Sequence, residues 1–269
     1  MVYGYAVSRE ACRSVKEALL ACYERLEPPK GEPVYLYVYG SWSSLEAAML
    51  KEAVELGVAS SQLHERFFAM HDAWLGVPRI TVSLERMNTV ASNVKEAGLM
   101  HEAAHSILHG SLEYYALTVP RALFSLALRQ GFTRQLIVDL TYLLSTSVKD
   151  FEVTSYLARK GFTESQLPFL EYLLEPDEED WEAWRMISGV KTLEALQAAA
   201  CLKSLACIAP LLPLPGARSL IDSVLKAVEE RYAKELLDIT TGLKTLLKED
   251  THTNLEKLAD IFVRKIFKC

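Results

Sequence analysis

Apolar residues recur at helical spacing over residues 8 to 25 (Cys12, Val15, Ala18, Leu19, Cys22) and stop at Glu27-Pro28-Pro29-Lys30-Gly31, which predicts an opening helix followed by a turn. Residues 34 to 39 then alternate Val34, Leu36 and Val38 against Tyr35, Tyr37 and Tyr39, a strand with one aliphatic and one aromatic face. Ser43 with Glu46 has the form of a capping box for a helix over 45 to 56 closed by Gly57, and residues 62 to 75 predict another helix ended by Gly76 and Pro78. Ile80, Val82 and Leu84 alternate with Thr81, Ser83 and Glu85, giving a second strand. From Asn93 onward every strong periodicity is helical. One helix runs from Asn93, capped reciprocally with Glu96, to Gly110; a second starts at Pro120 and stops at Gly131; a long third covers 133 to 160 before Gly161. Beyond the acidic run Glu175 to Asp180, helices are expected near 179 to 188, 192 to 209, 217 to 247 and 253 to 267. The acidic residues themselves read as carboxylates favouring a helix N-terminus. The pattern predicts a predominantly helical α+β chain with a small sheet in residues 1–175 and an all-helical segment over 176–269.

Composition narrows the partners. With 269 residues, half of them hydrophobic and 24% charged, the chain can bury the core of one large domain or two smaller ones. A net charge of −6 and no clustered basic run argue against a nucleic-acid partner. Five widely spaced cysteines without a CxxC pair suit a reducing cytoplasm better than a disulfide scaffold, and the N-terminus lacks the basic and apolar regions of a secretory signal, so a cytoplasmic location is expected. Residues 195 to 214 are the most apolar stretch, but Gln197, Lys203, Pro210 and Pro213 interrupt them; they read as a buried helix rather than a membrane span.

The chemistry concentrates in His101-Glu102-Ala103-Ala104-His105. On a helix, residues four apart lie one turn apart on one face, so both imidazoles can reach one Zn²⁺ while Glu102 lies beside the metal's open position. A catalytic zinc generally takes three protein ligands, leaving one to be found. His109 lies eight residues from His101, about 12 Å along the axis, too far to share the ion, and reads as a supporting, cleft or packed residue. Leu108 and Ser111 occupy the places where a metzincin carries its glycine and third histidine, which excludes that branch. On the long helix, Leu136, Leu140, Leu143, Ser147, Asp150, Thr154 and Leu157 follow one face, so Asp150 is a carboxylate on an apolar stripe and needs a partner there. Glu152, about 200° around the helix from Asp150, is the alternative third ligand.

The phrase His101 to Gly110 resembles the HExxHxxLHG helices of the gluzincin branch of zincin metallopeptidases, in particular ImmA/IrrE-like proteins and minigluzincins. Asp150 to Gly161 is similar in spacing to the family's third-ligand helix, with Asp150 in place of the usual glutamate and Thr154 in place of an Asp or Asn. The resemblance covers about residues 80 to 161. It implies a zincin-like catalytic half, a zinc cofactor, peptide or protein substrates, Glu102 as general base, and a substrate-binding edge strand at Arg79 to Glu85, centred on Ile80, Thr81, Val82 and Ser83. Tyr114 or Tyr115 could offer a phenol to a developing oxyanion. His64 and His71, seven apart, would share a face of the helix expected there with Glu65 and Asp72 nearby; they read as surface or cleft histidines, with a second metal site as the alternative. Two other readings compete: a non-catalytic zincin-like protein-binding module, and an ordinary helix that carries His101, Glu102 and His105 on its exposed face.

Overall fold

Parallel strands need crossover connections, and the N-terminal part of the chain supplies them with helices. The computed structural model describes residues 2–28, 33–56 and 66–268. Contacts divide the chain into two units, Met1–Tyr115 and Ala116–Cys269. The first runs β1 (Val2–Tyr5), α1 (Arg9–Leu26), β2 (Tyr35–Tyr39), α2 (Trp42–Leu56), β3 (Ala69–Asp72), β4 (Arg79–Ser83), α3 (Leu84–Met87) and α4 (Ser92–Leu108). Its sheet has the order β1-β2-β4-β3, with β1, β2 and β4 parallel and β3 antiparallel to β4. Leu36, Val38, Ile80 and Val82 are buried. On the opposite face the register sets Tyr3 beside Tyr37 and Tyr5 beside Tyr39, and the rings stack at 4.8 and 4.6 Å.

Three local expectations change in this unit. Residues 69–72, expected within a helix over 62 to 75, form β3, because their backbone groups are taken by the antiparallel ladder to β4. Gly57, Gln62 and His64 lie outside the described residues. Helix α2 starts at Trp42, with the Glu85 carboxylate accepting from the Trp42 N–H at 2.7 Å and the Ser41 hydroxyl accepting from the Ser44 N–H, so the Ser43–Glu46 box is not its cap. Helix α4 begins at Ser92 without a side-chain cap; Glu96 pairs instead with Arg25 of α1. Strand β1 had no counterpart in the sequence pattern.

One ion-pair cluster ties β3 into place. The Arg79 Nε lies 2.7 and 2.8 Å from the two Asp72 oxygens, and its Nη1 lies 2.8 Å from a Glu52 oxygen of α2. Burial pushes the Asp72 carboxyl upward and Arg79 only partly opposes this, whereas the two carboxylates hold the guanidinium firmly protonated.

The second unit is helical throughout its described residues: α5 (Arg121–Gln130), α6 (Arg134–Arg159), α7 (Thr163–Leu174), α8 (Glu178–Ile187), α9 (Lys191–Ile208), α10 (Pro215–Lys226), α11 (Glu230–Leu246) and α12 (Thr251–Ile266). The Thr133 side chain caps α6, and Gly131, at φ 67°, ends α5. Helix α6 packs chiefly on α9, whose Ala195, Ala198, Ala199, Leu202, Leu205 and Ala206 are fully buried. These contacts bind residues 134–159 to the C-terminal helices, so the division falls at Tyr115–Ala116 rather than near residue 175. The acidic run is a cap, with Asp177 and Asp180 forming a reciprocal box at the start of α8. Helix α7, carrying Pro168 internally, was missed, and the helix expected over 217 to 247 is two, broken where the Ala227 and Val228 N–H groups bond three residues back to Val224 and Leu225.

Glu194 of α9 is fully buried and gathers the Gly189 N–H at 2.8 Å, the Tyr232 hydroxyl at 3.0 Å and Arg231. Burial pushes its carboxyl up, but these donors and the guanidinium outweigh burial and hold it below the ordinary range. A depressed folded value stabilises above the unfolded value and is lost as pH falls through the folded one. Glu194→Gln is expected to cost about 2 kcal/mol near pH 7. In urea denaturation, its difference from the native chain should shrink as pH falls through the Glu194 transition.

Candidate metal centre

Helix α4 is buried nearly all round: Val94, Ala97, Gly98, Leu99, Met100, Ala103 and Ala104 are inside, together with His101 at 5% and Glu102 at 6% exposure. This overturns the reading in which the HExxH residues occupy the exposed face of an ordinary helix. His101 and His105 stand one turn apart with ring centroids 4.9 Å from one another and planes at 67°, so two imidazoles share one face. Beneath them the Tyr23 hydroxyl of α1 bonds the Ser106 hydroxyl, and Ser106 donates to the Ala103 carbonyl at 2.7 Å. Burial pushes the Tyr23 phenol up to about 12, with the nearby Glu102 charge adding to the rise and the Ser106 bond opposing it. The phenol therefore stays neutral beside Glu102.

At His109 the helix ends. Its N–H bonds the His105 carbonyl at 2.7 Å, and its buried ring packs against Tyr114 at 5.1 Å and His105 at 5.6 Å. His109 supports His105 by packing, as the axial distance from His101 requires. Tyr114 closes a short 3₁₀ turn, Leu112–Tyr114, and Tyr115 follows it. The Tyr115 hydroxyl lies 3.0 Å from His71 Nδ1, and Trp74 packs at 5.3 Å against the Tyr115 ring. His71 in turn stacks on His105, centroids 6.1 Å apart and planes within 10°.

His71 is the functional candidate whose place the sequence misjudged. Assigned to a helix with His64, it sits on β3, in a four-residue strand too short for alternation to register. The substrate-strand expectation also changes. Ile80, Thr81, Val82 and Ser83 lie in β4, which is bonded on one side to β2 and on the other to β3, so no backbone edge is left for an added strand. The edge on the α4 side of the sheet is β3.

In the second unit, Asp150 lies on the buried face of α6 with Ser147, Thr154 and Leu157, as the stripe predicts. Thr154 is within 3.6 Å of the Cys207 sulfur on α9. Glu152 points elsewhere: its two oxygens accept from the Thr251 hydroxyl and the Asn254 amide, each at 2.8 Å, at the start of α12. Within the first unit, the two imidazoles on one face of α4 offer nitrogen donors of the kind zinc takes.

Neither a known protein family, a curated protein sequence nor a solved structure matches the chain. The site's meaning therefore rests on its own geometry and donor chemistry. Because Glu152 joins α6 to α12 through two charge-assisted hydrogen bonds, Glu152→Ala is expected to lower unfolding free energy by about 2 kcal/mol, read by chemical denaturation followed by circular dichroism.

Proposed function

We propose that the protein is a zinc-dependent metallopeptidase in which His101, His105 and Asp150 hold the ion and Glu102 is the general base. The observation that carries this reading is the pair of converging imidazoles on a buried helix with a buried glutamate between them. Two observations support Asp150 over Glu152: Asp150 lies on the buried apolar stripe of α6, while Glu152 is engaged at the start of α12.

Zinc at such a site supplies Lewis acidity and lowers the pKa of a water toward about 7. The chain's own groups do the rest. Glu102 accepts a proton from the water as its oxygen bonds to the peptide carbonyl carbon. The same carboxyl returns that proton to the amide nitrogen as the C–N bond breaks, so the amine leaves neutral. The His109 ring, packed on His105, limits how far that imidazole can turn.

Extended peptide suits β3, the edge strand, because strand addition binds through main-chain groups and accepts many sequences. The competing reading, a zincin-like protein-binding module without turnover, draws on the departures at Asp150 and Thr154.

Elemental analysis of freshly purified protein tests the assignment. The native chain is expected to carry about one zinc, Asp150→Ala to lose most of it, and Glu152→Ala to keep it. Glu102→Gln should retain zinc and lose turnover of a peptide library by about 10³-fold or more. Zinc with unimpaired Glu102→Gln turnover would sink the general-base mechanism; zinc without turnover in the native chain would favour the binding module.

A further inference from the structure

Helix α2 and the sheet enclose a cavity of about 40 Å³, room for about three waters or one compact head group. It lies on the sheet face away from α4. The register sets Tyr37 beside Thr81 and Tyr35 beside Arg79, whose partner across β3 is Asp72, whereas Ile80 and His71 point to the other side. Ala48 and Met49 of α2 give the cavity an apolar wall, and the rest is polar: Tyr37, Tyr39, Thr81 and the Asp72–Arg79–Glu52 cluster. Glu52 and Met49 are half-buried, so the cavity meets solvent along α2.

Three of its hydroxyls have nothing to bond. Thr81 is 6% and Tyr39 8% exposed, yet among the described residues the hydroxyls of Thr81, Tyr37 and Tyr39 enter no hydrogen bond. A buried hydroxyl without a partner is costly, so a hollow lined with them favours a polar occupant. The charge around it selects the sign. Two carboxylates face one guanidinium, and that guanidinium is committed: its Nε bonds both Asp72 oxygens, and Nη1 and Nη2 each bond a Glu52 oxygen. Each Glu52 oxygen keeps a second lone pair, as do the hydroxyls. Burial raises both phenols, Tyr39 to about 12, so they stay neutral and offer oxygen lone pairs without a charge of their own.

We propose that this cavity binds a primary alkylammonium group, its three N–H donors taken by the hydroxyl oxygens and Glu52, its methylene stem lying along Ala48 and Met49. An anion would meet two carboxylates. A bare divalent cation would have to take those carboxylates from Arg79 and strand a largely buried guanidinium. A quaternary ammonium has no N–H for the hydroxyls. A lysine side chain of a peptide and a free diamine both carry the required group, and the apolar wall suits either stem. Every residue of the cavity belongs to the first unit, so the proposal is independent of the metal centre.

Calorimetric titration of the full chain tests it with n-butylammonium, butanediamine, Nα-acetyl-lysine methylamide, butyltrimethylammonium and inorganic phosphate. About one equivalent of n-butylammonium is expected to bind, with butyltrimethylammonium at least about tenfold weaker. Thr81→Val and Tyr39→Phe, which each remove one hydroxyl at nearly constant shape, should each weaken n-butylammonium about tenfold and leave the thermal midpoint near native. Tighter binding of the diamine than of the lysine derivative supports a free polyamine as the occupant; the reverse order supports a peptide lysine. Absence of saturable amine binding overturns the proposal, as does preference for phosphate. Equal affinity for butyltrimethylammonium overturns it too, since diffuse attraction by the net charge of −6 makes no distinction between the two cations. So does n-butylammonium affinity unchanged in both variants. Should either variant unfold, the ligand series on the native chain decides.

Discussion

A four-residue antiparallel ladder decides which side chains meet beside the HExxH helix. Pairing of Ala69–Asp72 with β4 takes up the β4 backbone groups that face away from β2, and it turns His71 toward α4. The Arg79 guanidinium then fixes the end of that ladder through Asp72, adjacent in sequence to His71, and reaches α2 through Glu52. A cation held by two carboxylates from different elements in a largely buried place is costly to break, because removing one partner leaves charge stranded inside. The register of a short strand is therefore guarded by electrostatics where side-chain alternation is too brief to guard it.

The helices were legible wherever their termini carried strong local signals. Thr133 and Gly131 bracket a junction that the structure reproduces, and the buried stripe through Asp150 follows from spacing alone. Failures came where tertiary context overrode local pattern. Strand β3 resembles part of a helix in sequence and becomes a strand because β4 offers a ladder. Helix α7 hides behind its internal Pro168, and the 217–247 run splits where a tight turn interrupts an unbroken apolar period. At the site, His101, Glu102 and His105 were readable because their spacing is set by one helix. His71 was not, since its relation to His105 exists only through strand pairing.

Buried charge is used differently in the two units. Glu194 is surrounded by donors supplied by a backbone amide, a phenol and a guanidinium, a complete set that keeps it ionised and structural. Glu102 is buried on α4, one residue from His101, in surroundings shared with a phenol whose proton is hard to remove. The first arrangement favours permanence of charge. Glu152 belongs with the first kind: its engagement with Thr251 and Asn254 makes it part of the helical scaffold.

The tyrosine ladder across β1 and β2 has an optical consequence. Phenol rings stacked within 5 Å couple their electronic transitions, so the two close pairs, Tyr3 with Tyr37 and Tyr5 with Tyr39, give the N-terminal unit a near-ultraviolet dichroic signature of its own. Helical signal in the far ultraviolet comes largely from the other unit, whose described residues contain no strand. Melting one half of the chain can thus be followed separately from melting the other, without a label.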